Sequence, residues 1–255
     1  MSNKFGDVRW KWLDERGYRV LNDRHQYAYM QSLWSPNDVV QGVFCDSRAG
    51  TGKTTLAVLA GVYEVDRGNY DKIIYVRNAV AIRDIGFLPG DDKEKMAPYY
   101  APLEQAMDNA QPGLYKKWSQ ADPLTKQQPK VFALSSTFAR GVTWNNAYII
   151  LDEAQNFDLD ELQAAYTRIT DSCKIVTIGS TRQVDNKKLR RYDGLTPFEV
   201  YMKHFEGTRV TYHKLETNYR GWFSNHADDV IDTVTALEGQ SKTKSNGGYA
   251  NGLLR

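Results

Sequence analysis

The sequence predicts an α/β fold built on a doubly wound, mainly parallel sheet, and three observations carry that prediction. Short apolar runs at 39–44, 73–76, 131–134, 147–151, 174–179 and 210–215 read as buried strands, with helical or loop stretches between them. The first run, containing Val39, Val40, Val43 and Phe44, enters a small-residue loop that opens directly into helix-forming residues from Thr54 through Ala60. The fourth run ends abruptly in Asp152-Glu153, at the strand end where open α/β sheets bind their ligands.

Size and composition set the outer limits. A chain of 255 residues makes one large or two small domains and can bury a proper core. Lys plus Arg number 33 against 31 Asp plus Glu, a net charge of +2 that argues against wholesale coating of nucleic acid but leaves room for a local basic groove. Cys45 and Cys173 sit in apolar runs without a C-x-x-C or Cys/His cluster, which points to packing and a reducing compartment. The start is polar, and no apolar run approaches the roughly 18 residues of a membrane span, so a soluble, cytoplasmic protein is expected. Residues 1–237 read as a single domain and 238–255, rich in Gly, Ser, Lys and Asn, as a disordered tail.

In chain order, Trp10, Trp12 and a helical stretch from His25 to Leu33 precede the loop. Gln26 is a candidate adenine reader through its amide, with Tyr27 or Tyr29 for ring stacking; the same stretch also fits an amphipathic helix packed on the sheet. The loop itself, Ser47, Arg48, Ala49, Gly50, Thr51, Gly52, Lys53, Thr54 and Thr55, turns successive backbone N–H groups toward one point at the positive end of a helix, which suits a polyphosphate such as that of ATP. Lys53 is placed to reach the β- and γ-phosphates and Thr54 to offer a hydroxyl to Mg²⁺. Ser47 stands where the usual pattern begins with Gly.

Beyond the second strand, Gly86 to Asp91 carries turn chemistry at Pro89-Gly90 around an apolar pair. Residues 92–128 read as helices, Tyr99 to Ala110 and one around Trp118, long enough to form a flap over one end of the sheet. The loop after the third strand displays Arg140. At the fourth strand, Asp152 is expected to order the Mg²⁺ shell and Glu153 to polarise the attacking water. Asp158 and Glu161 already form a capping-box pattern, which leaves Asp152 and Glu153 without that structural task. Gln183, on the turn after the fifth strand, is a γ-phosphate sensor candidate. Lys187, Lys188, Arg190, Arg191 and Tyr192 form a basic loop that fits either solvated surface or nucleic-acid contact. After the sixth strand come Asn218-Tyr219-Arg220 and a helix with Ala227, Val230, Ile231, Val234 and Leu237 at 3.6 spacing.

These residues together resemble the PhoH-like family of ATPases. The resemblance rests on Ala49 to Thr54, Gly86 to Asp91 with Pro98-Tyr99 and Pro102-Leu103, Arg140-Gly141, Leu151 to Asn156 and Gln183 to Asp185, and it covers roughly 20–235. It implies a three-layer, RecA-like P-loop domain related to superfamily-one helicases, without the attached nuclease or RNA-binding domain of some members, as in phage-encoded and free-standing ones. Asn218 to Arg220 is similar to a helicase element whose Arg contacts the γ-phosphate, so Arg220 joins Lys53, Glu153 and Gln183 as a catalytic candidate. Ser180 departs from the Gly-Asp that the family usually places before the Gln.

The resulting expectation is a Mg²⁺-dependent ATP hydrolase acting with RNA or single-stranded DNA. A nucleotide-gated assembly or binding module is the alternative, while the absence of an Asn-Lys-x-Asp guanine reader speaks against a GTPase. A lone RecA-like domain needs a second wall for its site. That wall is expected from the flap, from Arg220 in cis, or from Arg140 or Arg190 of a neighbouring copy in a ring or other homo-oligomer.

Overall fold

The computed structural model describes residues 8–78, 92–123, 126–136, 143–186, 189–230 and 232–237, with the side chains of 92–98, Asn225 and Asp228 left aside. The Gly86 to Asp91 loop, Arg140-Gly141, Lys187, Lys188, Ile231 and the tail 238–255 lie outside the described residues.

The strands are β1 (Gly42–Asp46), β2 (Lys72–Arg77), β3 (Val131–Ser135), β4 (Ala147–Asp152), β5 (Lys174–Gly179) and β6 (Val210–His213), in the spatial order β3-β2-β4-β5-β1-β6. Every pairing is parallel. Parallel strands need crossovers that cover the sheet faces, so central strands are buried on both sides. Accordingly β4 and β5 are buried from end to end, whereas the outer strands expose Phe132 and Tyr212.

Helices lie on both faces. On one side α1 (Val8–Asp14), α2 (Arg24–Leu33), α3 (Lys53–Asp66), α4 (Asp92–Ala110) and α5 (Leu114–Ser119) share one core, which holds Leu13, Leu33, Leu56, Leu59, Leu103 and Trp118. On the other, α6 (Leu159–Tyr166) and α7 (Pro197–His204) cover Leu151, Phe157, Leu162, Phe44 and Phe198. The result is the three-layer, doubly wound architecture expected, in which β5 separates the phosphate-loop strand β1 from β4. Gly61 of α3 allows a close helix-to-sheet approach: a Cβ there would stand 2.8 Å from the Tyr148 ring.

Several boundaries differ from expectation for identifiable reasons. The first strand starts at Gly42, because the Val39 and Val40 N–H groups are donated to the Pro36 carbonyl in a turn. Within the stretch 92–128, Leu103, Met107, Leu114 and Trp118 are packed in the main core against the same face as α3, so this portion belongs to the body of the domain. Helix α7, which the apolar pattern does not announce, starts at a capping box between Thr196 and Glu199 with Pro197 in its first turn. Of the helix predicted near the end of the chain, Ala227 lies in α8 (Trp222–Asp228), and Val230, Val234 and Leu237 lie in further helical residues at 230 and 232–237. The apolar residues of this end of the chain are not packed on the sheet: Trp222 is 73% and Phe223 79% exposed, and beyond α8 Val230, Val234 and Leu237 are exposed as well. Among the described residues, no helix is long and apolar enough to cross a membrane. Both cysteines are buried and unbridged.

Candidate functional site

The carboxyl ends of the strands converge on the loop between β1 and α3. Gly50 (φ 81°) and Gly52 (φ 86°) adopt left-handed backbone, which favours glycine and lets neighbouring N–H groups share one concave side. Lys53 is buried and its Nζ donates to the Arg48 carbonyl at 3.3 Å, which also accepts from the Thr51 hydroxyl at 3.0 Å. Gln26 reaches the same loop: its Nε2 donates to the Thr51 carbonyl at 3.1 Å. Tyr29 is enclosed in the core and its hydroxyl donates to the Lys53 carbonyl, while Tyr27 stacks on Trp10 with ring centres 5.0 Å apart. Both rings considered for base stacking are thus already in protein contacts.

Ser47 acquires a structural explanation. Its hydroxyl accepts the Leu215 N–H at 2.7 Å, and its own N–H is donated to the Gly179 carbonyl. The residue that replaces glycine therefore ties the loop's entry to the chain leaving β6, a link glycine cannot make.

Asp152 ends β4 and is 1% exposed. One oxygen accepts from the Thr54 hydroxyl at 3.2 Å and from the Glu153 N–H at 3.0 Å, and the other accepts from the Tyr75 hydroxyl. Burial pushes its carboxyl above the ordinary range and the neighbouring Glu153 charge adds to this, while Arg77, the Tyr75 hydrogen bond and Lys53 pull the other way. The Thr54 hydroxyl and Asp152 carboxylate bring two oxygen donors together, a set that suits a hard divalent cation holding phosphate oxygens and water in its other positions. Among the described residues there is no group of three or more His, Cys, Asp or Glu able to hold a metal by themselves.

Glu153 has left-handed backbone (φ 56°), a costly conformation for a side-chain-bearing residue. Its carboxylate accepts from Gln155 Nε2 at 2.7 Å and faces the Arg77 guanidinium at 3.6 Å. Arg77, at the end of β2, pairs in register with Asp152 and donates to the Tyr99 carbonyl of α4. Burial alone would ease its proton off, but Tyr75, Asp152 and Glu153 nearby hold it more firmly protonated than usual.

Gln183 lies on the turn after β5, with its carbonyl accepting from Gln155 Nε2 at 3.0 Å. Earlier on that turn, Ser180 donates its N–H to Gln155 and Thr181 gives both N–H and hydroxyl to Asp46. From the opposite side, Asn218 to Arg220 lies across the phosphate loop: the Tyr219 N–H donates to the Gly50 carbonyl at 2.9 Å and Asn218 Nδ2 to the Ala49 carbonyl at 3.3 Å. A Cβ on Gly50 would stand 2.5 Å from Asn218 Oδ1 and 3.1 Å from Arg220 Cδ, so Arg220 passes directly over the loop. Arg48 pairs with Asp229 and Arg182 with Asp232 at 2.6 and 2.9 Å. Arg190 is exposed and stacks on Tyr192, outside this cluster.

The structure thus brings Gln26, residues 47–55, Asp152, Glu153, Gln183 and Arg220 to one end of the sheet. Tyr75, Arg77 and Asp46 belong to the same cluster but are not singled out by the sequence, and Gln155 stands inside the Leu151–Asn156 motif without a role of its own. Tyr75 and Arg77 lie on a strand that reads as merely apolar, and only the β2–β4 register turns them toward the carboxylates.

The family model described as PhoH-like protein matches residues 21–232. A PhoH-like protein of Bacillus subtilis (strain 168) is 37% identical over 190 residues, covering 74% of this chain and 55% of that protein. Protein PhoH2 of the same organism is 35% identical over 170 residues, covering 64% and 37%, and Protein PhoH of Escherichia coli (strain K12) is 31% identical over 167 residues, covering 65% and 45%. The chain therefore spans between 37% and 55% of the length of these relatives. Among solved structures, the large terminase of a thermophilic bacteriophage aligns at TM-score 0.47 and 10% identity over 78% of this chain and 47% of its own. The Sulfolobus solfataricus SWI2/SNF2 ATPase core in complex with dsDNA aligns at TM-score 0.41 and 9% identity, covering 74% and 43%.

Proposed function

The chain belongs to the PhoH-like family, and from this premise we propose that it is a Mg²⁺-dependent ATP hydrolase working with RNA or single-stranded DNA. The observation that carries the reading is the meeting of Thr54 and Asp152 at 3.2 Å, with Glu153 next in the chain and Lys53 in the loop behind. A phosphate loop alone serves many binding proteins; a phosphate loop beside a buried Asp and a half-buried Glu supports hydrolysis, because it puts a metal-ordering carboxylate next to a candidate base.

In this mechanism the N–H groups of residues 50–53 and the Lys53 ammonium cradle the phosphates, with Gln26 holding the loop through Thr51. Thr54 and Asp152 would hold Mg²⁺, which supplies neutralisation of phosphate-oxygen charge. Glu153 orients a water in line with the γ-phosphorus and takes its proton as the new P–O bond forms. The bond from γ-phosphorus to the β–γ bridging oxygen breaks, leaving ADP and phosphate. Gln183 senses the γ-phosphate, and Arg220, already over Gly50, offers positive charge to the transition state in cis.

Cytoplasmic location and a homo-oligomer, with Arg140 or Arg190 reaching a neighbouring copy's site, complete the proposal. Light scattering with ATP and Mg²⁺ tests the assembly: a fully active monomer contradicts it. The exposed apolar face of α8 and the near-neutral net charge favour a second reading, a nucleotide-gated assembly module that does not move on nucleic acid. ATP turnover measured with and without single-stranded RNA or DNA over a salt series separates the two. Stimulation that fades with salt supports nucleic-acid coupling; turnover indifferent to nucleic acid supports the assembly module; no turnover under any condition rejects hydrolysis.

A further inference from the structure

Gln155 is fully buried between the end of β4 and the turn after β5. Its side-chain amide makes three hydrogen bonds: Nε2 donates to Glu153 Oε2 at 2.7 Å and to the Gln183 carbonyl at 3.0 Å, and Oε1 accepts the Ser180 N–H at 2.9 Å. Turning the amide over would set oxygen against a carboxylate and a carbonyl, and nitrogen against an N–H. Only one orientation satisfies all three partners. The backbone has made room for this amide, since a Cβ on Gly179 would stand 2.7 Å from Gln155 Oε1. The last residue of β5 is therefore restricted to glycine by a side chain arriving from β4's end.

Resting on the hydrolytic reading above, we propose that Gln155 is a positioning residue that locks the Glu153 carboxylate to the loop carrying Gln183, so that base and γ-phosphate sensor move as one unit. Glu153 is held on its other side by Arg77 across 3.6 Å, a longer contact and one to a more exposed partner. The shorter tie, made by a fully buried side chain, is the one to Gln155. A shift of residues 180–183 on meeting a γ-phosphate passes to the Glu153 carboxylate through a single planar amide, with no intervening side chain. A buried group whose polar atoms are all satisfied transmits such a shift because breaking any one bond leaves an unpaired buried partner. The bond from Ser180 uses its backbone N–H, so the link does not depend on the side chain at that position.

Two variants test the proposal in the full chain. Gln155→Glu keeps the acceptor for Ser180 but loses the donor toward Glu153 and Gln183; Gln155→Met keeps volume and loses every polar contact. For both, kcat for ATP falls about tenfold or more, as misplacement of a catalytic group does, while KM and the affinity for a non-hydrolysable ATP analogue stay within about twofold of wild type. Hydrogen exchange gives a readout independent of turnover. In wild type the analogue changes protection at 153–156 and 180–183 together, and in Gln155→Met the change at 153–156 is lost while that at 180–183 persists. If kcat is retained, or if kcat, analogue affinity and thermal stability all fall together, Gln155 is an ordinary structural tie and the proposal is overturned. Failure of the hydrolytic reading is a different result, absence of turnover in wild type; uncoupled exchange in the wild-type chain would then overturn the Gln155 link by itself.

Discussion

The two walls of the phosphate site are built differently. On the β4–β5 side, buried Asp152 is bonded to Tyr75 and Thr54, buried Gln155 is bonded to buried Ser180, and the half-buried Glu153 links the two through its N–H to Asp152 and its carboxylate to Gln155. On the β6 side, Tyr219 and Arg220 are exposed, and the segment rests on the loop through backbone and amide contacts at Gly50 and Ala49. Beyond it, the aromatic residues of α8 face solvent, and the chain just after α8 is held through ion pairs at Asp229 and Asp232. Buried, mutually satisfied polar groups hold one geometry; partly exposed ion pairs are worth little and rearrange readily. The Asp152–Glu153 wall is therefore built in advance, and the Arg220 wall is the adjustable one.

The largest effect that follows is at the buried lysine of the loop between the two walls. Lys53→Ala removes the ammonium inside the loop and lowers kcat by about 10³-fold or more, measured as phosphate release under saturating ATP. On the adjustable side Arg220→Ala is expected to lower kcat by about 10²-fold with thermal stability unchanged, since the residue is exposed. Equal stability losses for a buried and an exposed change would contradict the contrast.

Asp152 gives a smaller, pH-dependent effect. Its carboxyl is raised by burial, so the folded chain holds that proton more readily than the unfolded chain, and this contribution to stability is lost as pH rises through the folded-state value. Asp152→Asn therefore melts at a higher temperature than wild type at pH 7, with the gap closing as pH falls toward the ordinary carboxylate range. Calorimetry across pH checks the sign; a variant that is less stable at pH 7 contradicts it. The smallest expected change is Ser47→Ala, which leaves the Leu215 N–H without its partner and costs about 1–3 kcal/mol, a shift of several degrees by thermal melt with ATP binding retained.

How much of this is visible in the sequence follows the same division. The six strands, the phosphate loop, Asp152-Glu153 and the Asp158–Glu161 capping box are encoded by neighbouring residues, so periodicity and local pattern find them. The purpose of Ser47 depends on Leu215, far along the chain, and that of Arg77 on its register with Asp152; neither is written locally. Gln155 is visible inside a motif, but its partners come from the turn after another strand. The 3.6 spacing near the end of the chain announces a helix that is present, yet amphipathicity does not specify against what the apolar face packs, and that face is exposed.

The Glu153→Gln variant bears on the prebuilt wall most closely, because it changes one oxygen to an amide and leaves the phosphate loop intact. Equilibrium binding of labelled ATP and single-turnover hydrolysis, run on the same preparation, should show affinity within about twofold of wild type and no detectable phosphate release. Hydrolysis at the wild-type rate in Glu153→Gln would remove Glu153 as the base, and with it the claim that this wall performs the chemistry.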